Sequence, residues 1–188
     1  MKTIKSLALA LLVIAGTAVS QAQNKKINVE KSNITWVGKK VTGEHTGTVK
    51  FKEGILVFQK GALKGGNFTV DMTTIGATDL TGDWKQKLDG HLKADDFFGT
   101  AKFPTATLVF KKIASKGNGV YTVTADLTIK GITKPVTFDI TVSGNTATSN
   151  FKIDRTKYDI KYGSGSFFSD LGDKTINDDF EVSVKLEF

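Results

Sequence analysis

A two-residue period restricts this chain more than any other feature, and it recurs along most of its length. In Phe180-Glu181-Val182-Ser183-Val184-Lys185-Leu186-Glu187-Phe188, apolar and polar residues alternate without a break. Successive strand side chains point to opposite faces, so five apolar groups share one face of this segment and four polar groups share the other. The same period appears in Tyr121, Val123, Ala125, Leu127 and Ile129, in Val136, Phe138, Ile140 and Val142, in Ala106, Leu108 and Phe110, and in Ala147, Ser149, Phe151 and Ile153. Each reads as a strand with one buried and one wet face.

Residues 34–41, 45–51, 55–60 and 67–74 are earlier strand candidates. Glu53-Gly54, Lys116-Gly117-Asn118-Gly119 and Ser143-Gly144-Asn145 are short connections rich in residues that accept positive φ, as hairpin turns require. Neighbouring strands therefore pair antiparallel. About eight long strands with one wet face each fit either a two-layer sandwich or a closed barrel, and closure is the arrangement that removes exposed edges. The expected fold class is all-β, an extended eight-stranded antiparallel β-barrel. One region breaks the period: from residue 81 to 98 the spacing of Trp84, Leu88, His91 and Leu92 is helical. Thr81 or Asp83 is placed to cap this insert, and Gly90 is a candidate break between two short helices. Trp84, Phe97 and Phe98 give it apolar groups to insert across a barrel end.

Composition narrows the setting. Lys2 and Lys5 precede an apolar run from Leu7 to Val19 and the small residues Ser20 and Ala22, the order of a secretory signal peptide over residues 1–22. That run is shorter than the roughly 18 residues a spanning helix needs. Residues 23–188 are then expected to form one exported domain, periplasmic or secreted. The chain has no cysteine, so neither disulfides nor thiolate metal sites stabilise it and burial must do so. Formal net charge is +7, carried by lysines spread along the sequence, with Arg155 the lone arginine. Nucleic-acid binders cluster their basic residues in a stripe, and no such stripe is present, so no nucleic-acid partner is expected.

Candidate chemistry is sparse. The histidines are His45 and His91, and the pattern places neither with the other. Asp95-Asp96 and Asp178-Asp179 lack the alternate spacing of a calcium loop and read as caps or turns. Tyr162-Gly163-Ser164-Gly165-Ser166 superficially resembles a serine elbow but lacks its strand-to-helix context and third glycine. Arg155 stands out because a lone arginine among lysines suggests bidentate hydrogen bonding, either to a lipid phosphate or to a carboxylate on a neighbouring strand at a barrel end. The thirteen phenylalanines fall mostly on the apolar phase of strands, where they either fill a barrel of this size or line a space for one ligand.

Several ordered segments carry a resemblance. His91-Leu92-Lys93-Ala94-Asp95-Asp96-Phe97-Phe98 is followed by Phe103-Pro104-Thr105-Ala106-Thr107. Gly66-Asn67-Phe68-Thr69-Val70-Asp71-Met72 precedes it, and Asp126-Leu127-Thr128-Ile129-Lys130-Gly131-Ile132-Thr133-Lys134-Pro135-Val136 and Phe151-Lys152-Ile153-Asp154-Arg155 come after. Together they resemble the YceI-like family, the lipocalin-like polyisoprenoid-binding proteins. Tyr158-Asp159 after Arg155, and the stretch from Lys39 to His45, depart from the commoner pattern.

The resemblance implies a lipocalin-like barrel around an isoprenoid chain, with no other cofactor and no catalysis. The apolar lining it implies is Trp36, Phe58, Phe68, Met72, Phe97, Phe98, Leu108, Phe110, Leu127, Phe138, Phe151 and Ile153, with Arg155 and His91 as candidate head-group contacts and no metal. An isoprenoid lipid, a transient membrane contact and a homodimer are the partners considered. Two other readings stand beside the carrier: an enzyme acting on a lipid head group through Arg155, His91, Asp95 and Asp96, and a packed structural or stress-related exported barrel without ligand.

Overall fold

The computed structural model describes residues 21–188. The signal peptide expected over residues 1–22 lies outside the described residues, apart from Gln21 and Ala22. The elements in chain order are β1 (Gln23–Lys26), β2 (Asn33–Lys40), β3 (Gly43–Gln59), β4 (Ala62–Ala77), α1 (Gly82–Lys93), β5 (Thr105–Gly117), β6 (Val120–Ile129), β7 (Ile132–Ser143), β8 (Thr146–Asp154) and β9 (Ile176–Glu187). The sheet runs β3-β2-β9-β8-β7-β6-β5-β4, and β4 pairs back onto β3, so the sheet closes on itself. Every pairing is antiparallel. β1 and β2 occupy one position between them, since β2 pairs with residues 43–49 of β3 and β1 with residues 55–58. The barrel therefore has the eight strand positions that the alternation predicts.

Alternation carries directly into burial. Along β6 the odd-numbered residues Tyr121, Val123, Ala125, Leu127 and Ile129 are all buried, and their partners Phe138 and Ile140 on β7 and Leu108 and Phe110 on β5 continue the inner face. The turns expected near Asn118 and Asn145 join β5 to β6 and β7 to β8. The turn expected at Glu53-Gly54 does not form. Residues 45–51 and 55–59 belong instead to the single long strand β3, with a register shift between Phe51 and Glu53. The glycine serves close approach: a Cβ at Gly54 would lie 2.5 Å from Phe68 Cδ1 and 2.9 Å from Ile27 Cδ1.

The two ends of the barrel differ. One end carries the β3–β4, β5–β6 and β7–β8 turns, with β1 and the C-terminus. There Leu56, Leu63, Tyr121 and Phe58 are buried, and the Phe58 ring packs 5.7 Å from Phe188. The other end carries the β2–β3 turn, α1, the β6–β7 turn and the long link from β8 to β9. α1 runs unbroken through Gly90, so the expected division into two helices is absent. One interior glycine costs about 1 kcal/mol, which the burial of Leu92 and the packing of Leu88 on the core offset. Asp89 Oδ1 accepts the Ala77 N–H at 2.7 Å, fixing the helix to the end of β4. Thr81 sits at the N-cap without a side-chain cap bond. Phe97 and Phe98 enter the core as expected, whereas Trp84 is 70% exposed, a full turn beyond the Leu88 contact.

The β8–β9 link is organised by Arg155, which is 2% exposed. Its Nε donates to Asn177 O at 3.0 Å, its Nη1 to Ile160 O at 2.8 Å and Tyr162 O at 2.9 Å, and its Nη2 to Ile176 O at 3.0 Å. A carboxylate on the neighbouring strand, Asp178, lies at 3.7 Å from Nη2. The flat guanidinium fork thus gathers four carbonyls of a folded-back chain, a task for which the lysine ammonium has the wrong shape. Replacing it strands those carbonyls in the interior, so Arg155→Met should lose about 3 kcal/mol or more in urea denaturation. Gly47→Ala should also unfold early, by about 2 kcal/mol, because its Cβ would collide with the Gly76 carbonyl oxygen and the Trp36 ring. Equal midpoints for wild type and variant would contradict either account.

Candidate functional site

The inner faces of the strands leave an elongated cavity of about 170 Å³. On β9 its lining runs from Ile176 to Leu186, a rise of ten residue steps or about 33 Å of strand. Five phenylalanines form a band of rings around it: Phe51 to Phe68 at 6.1 Å, Phe68 to Phe110 at 5.6 Å, Phe110 to Phe138 at 6.0 Å, and Phe138 stacked on Phe151 at 4.6 Å. They come from β3, β4, β5, β7 and β8, each on the inward phase of its strand. At the helix-capped end Phe97 meets Phe98 at 5.2 Å, and Phe98 meets Phe180 at 6.3 Å.

Of the residues expected to line an interior space, Trp36, Phe68, Met72, Phe97, Phe98, Leu108, Phe110, Leu127, Phe138, Phe151 and Ile153 all border this cavity. Phe58 does not, because it sits in the packed end against Phe188, with Lys25 Nζ 5.5 Å from its ring centroid. Phe51, Phe180 and Leu92 also border the cavity and were not singled out, although strand or helix phase already marked each as inward. Asn177 carries no such mark in the sequence.

Polar groups in the lining are few. Ser149 is occupied, donating to Asp139 O at 2.6 Å. Arg155 and Asn177 stand at the helix-capped end. Burial lowers the Arg155 pKa, and Asp178 and Asp154 only partly counter this. The guanidinium also lies 5.9 Å from the Phe97 ring. His91 is outside the lining but adjacent to it, 5.3 Å from Phe97 and 4.4 Å from Tyr162. Among the described residues, Trp36 Nε1, His91 Nε2, Tyr158 OH and Asp178 Oδ1 are buried without a hydrogen-bond partner. All four belong to the half of the barrel next to the helix. Burial pushes the Tyr158 hydroxyl pKa up to about 12, with Asp154 adding to the effect.

The remaining candidates are dispersed. His45 Nδ1 pairs with Asp79 at 2.9 Å, apart from His91 and its aromatic neighbours. Asp95 holds Lys102 at 2.6 Å on the surface, and Asp96 is exposed. Ser164 is fully buried, and its hydroxyl accepts the Ser166 N–H at 3.2 Å in a turn. No three His, Asp or Glu side chains among the described residues are grouped to hold a metal.

Three comparisons place this barrel among known proteins. Its backbone superposes on that of BcnA from Burkholderia cenocepacia with a TM-score of 0.68, at 25% identity, over 85% of this chain and 98% of that one. A domain from Saccharophagus degradans described as polyisoprenoid-binding gives a TM-score of 0.58 at 15% identity, over 86% and 95% of the two chains. In sequence, the UPF0312 protein of Shewanella denitrificans is 55% identical over 49 residues, and one from Pseudomonas putida 37% identical over 87 residues. These matches span 26% and 45% of the relatives' own lengths. A YceI-like domain is matched over residues 26–188, from the end of β1 through β9 with the helix, and the chain is therefore a member of the YceI-like family.

Proposed function

We propose that this protein is an exported binder or carrier of a long-chain isoprenoid lipid, of the polyprenyl or isoprenoid-quinone type, held in the barrel interior without chemical turnover. The observation that carries the reading is the unfilled, long, apolar cavity, bordered by a band of phenylalanines and by almost no polar atoms. Each buried CH₂ of a prenyl chain contributes about 0.8 kcal/mol, so such a tube gains affinity from ligand length without polar recognition. The description of the Saccharophagus domain as polyisoprenoid-binding supports the same ligand class.

At about 170 Å³ the space is smaller than the ~300–1,000 Å³ of typical small-molecule sites, so a long chain requires the lining rings to turn aside. Phenylalanine side chains do this by rotamer change without leaving buried polar groups behind. A polar head group fits the helix-capped end, where Arg155, Asn177 and the neighbouring His91 supply the nearest polar atoms. Binding rather than catalysis is supported by a lining that holds no His, Asp, Glu or free nucleophile. The basic end and apolar run over residues 1–22, in the order of a secretory signal peptide, support a periplasmic or secreted location.

Protein purified without detergent from the exported fraction should yield a prenyl lipid on organic extraction, and native mass spectrometry should show the matching mass difference. Recovery of protein with no lipid, and no binding of added prenyl lipid, would sink the proposal. Ala106 borders the cavity, so Ala106→Phe should fill it, keeping the β circular-dichroism signal while lowering co-purified lipid severalfold. Lipid content equal to wild type in that variant would place the ligand elsewhere. Extraction should lower the melting temperature, because a ligand that binds only the folded state stabilises it by mass action.

A further inference from the structure

Five large apolar side chains are exposed among the described residues: Val41 (64%), Trp84 (70%), Tyr162 (49%), Phe167 (51%) and Phe168 (51%). All five lie at the helix-capped end: Val41 in the β2–β3 turn, Trp84 in the first turn of α1, the other three in the β8–β9 link. The three segments touch. The Val41 N–H bonds to Thr175 O at 3.2 Å, joining the β2–β3 turn to the link, and the Tyr162 ring sits 4.4 Å from His91 of α1. The opposite end exposes no large apolar side chain among the described residues.

Charge separates the ends further. Around the aromatic end, Lys40, Lys87, Lys161 and Lys174 are interleaved with Asp83, Asp159, Asp170 and Asp173, so the surface there is close to neutral. Two of these lysines reach over the exposed rings, Lys87 Nζ at 5.0 Å from Trp84 and Lys161 Nζ at 5.1 Å from Phe167. The opposite end carries Lys25, Lys26, Lys31, Lys60, Lys64 and Lys116 against Glu30, Asp139 and Glu187. A polyanionic partner would be drawn to that basic end. A near-neutral rim of Trp, Tyr and Phe with ammonium groups at its margin matches the interface of a phospholipid bilayer, where amphipathic rings sit at head-group level and cations meet phosphates.

We propose that the helix-capped end docks on a phospholipid bilayer, with Trp84, Phe167 and Phe168 entering the interfacial layer. The docking face surrounds the end of the barrel at which the buried Leu92, Phe97 and Phe98 border the cavity. Binding rests on shallow apolar insertion, so it is reversible and depends little on salt.

The two tryptophans make the test direct, since Trp36 is buried and Trp84 is exposed. Vesicles of phosphatidylcholine and phosphatidylethanolamine are added to the full exported protein. Tryptophan emission should shift to the blue, brominated lipid should quench it, and Trp84→Phe should abolish both effects. Phe167→Ser with Phe168→Ser, checked for fold by circular dichroism, should weaken flotation with vesicles by about tenfold. Substituting Lys25, Lys26 and Lys31 by Gln should leave it unchanged. The proposal is overturned by an absence of blue shift and flotation, by wild-type binding in the double variant, or by binding that needs anionic lipid and is lost with the three lysines. It is equally overturned if sedimentation shows a dimer that the double variant dissociates while vesicles bind neither protein. Vesicle binding does not depend on what the cavity holds, so its failure leaves the lipid-carrier reading to be judged by extraction alone.

Discussion

Everything in this molecule depends on the pairing of β4 back onto β3. That pairing runs along most of β3, from Gly47 opposite Ala77 to Gln59 opposite Ala62, and turns an open sheet into a closed tube. Once closed, an alternating strand has no choice of faces: its apolar phase must look inward. A barrel of eight positions has an interior that side chains just fill or that admits one slender ligand. Here the band of phenylalanines leaves a passage, while at the packed end Leu56, Leu63, Phe58 and Tyr121 meet and fill the section. Closure is also sterically exacting. The Trp36 indole lies directly over Gly47, and the Phe68 ring over Gly54, so β3 can bend tightly around the core only where it lacks side chains.

The sequence made the strands, their antiparallel order and the inward phase legible, because all three follow from a period of two and from short turns. It misled where one residue type serves two physical ends. Gly54 after Glu53 resembles a hairpin turn, yet the chain runs straight through, since the glycine there makes room for Phe68 and Ile27. Gly90 resembles a helix break, but Leu88 and Leu92 hold the helix together on the core. Trp84 shares the helical phase of Leu88, and phase alone does not tell how far a helix projects past a barrel rim. Phe58 has the right phase and the wrong height, because alternation says which face a side chain takes and nothing about its position along the axis. Arg155 was conspicuous as the lone arginine, but its carbonyl partners come from a link with no periodic pattern, and only the three-dimensional path brings Ile160, Tyr162, Ile176 and Asn177 around one guanidinium.

The difference between the two ends gives the tube a direction. Arg155 and Asn177 of its lining stand at the helix-capped end, and among the described residues the buried polar atoms without partners, including the Trp36 Nε1 donor that borders the cavity, belong to that half as well. An amphipathic chain entering such a tube with its polar group toward the packed end would bury a hydroxyl or carbonyl among Leu and Phe side chains, at a cost of roughly 1–3 kcal/mol without a hydrogen bond. With the polar group toward α1, the same atoms meet donors and the nearest solvent, while the tail gains the full apolar contact of the phenylalanine band. The free-energy difference between the two orientations therefore comes from the head group alone, since the tail is buried in both. Selection by length and selection of orientation are thus separable: the lining area sets the first, and the few polar atoms beneath α1 set the second.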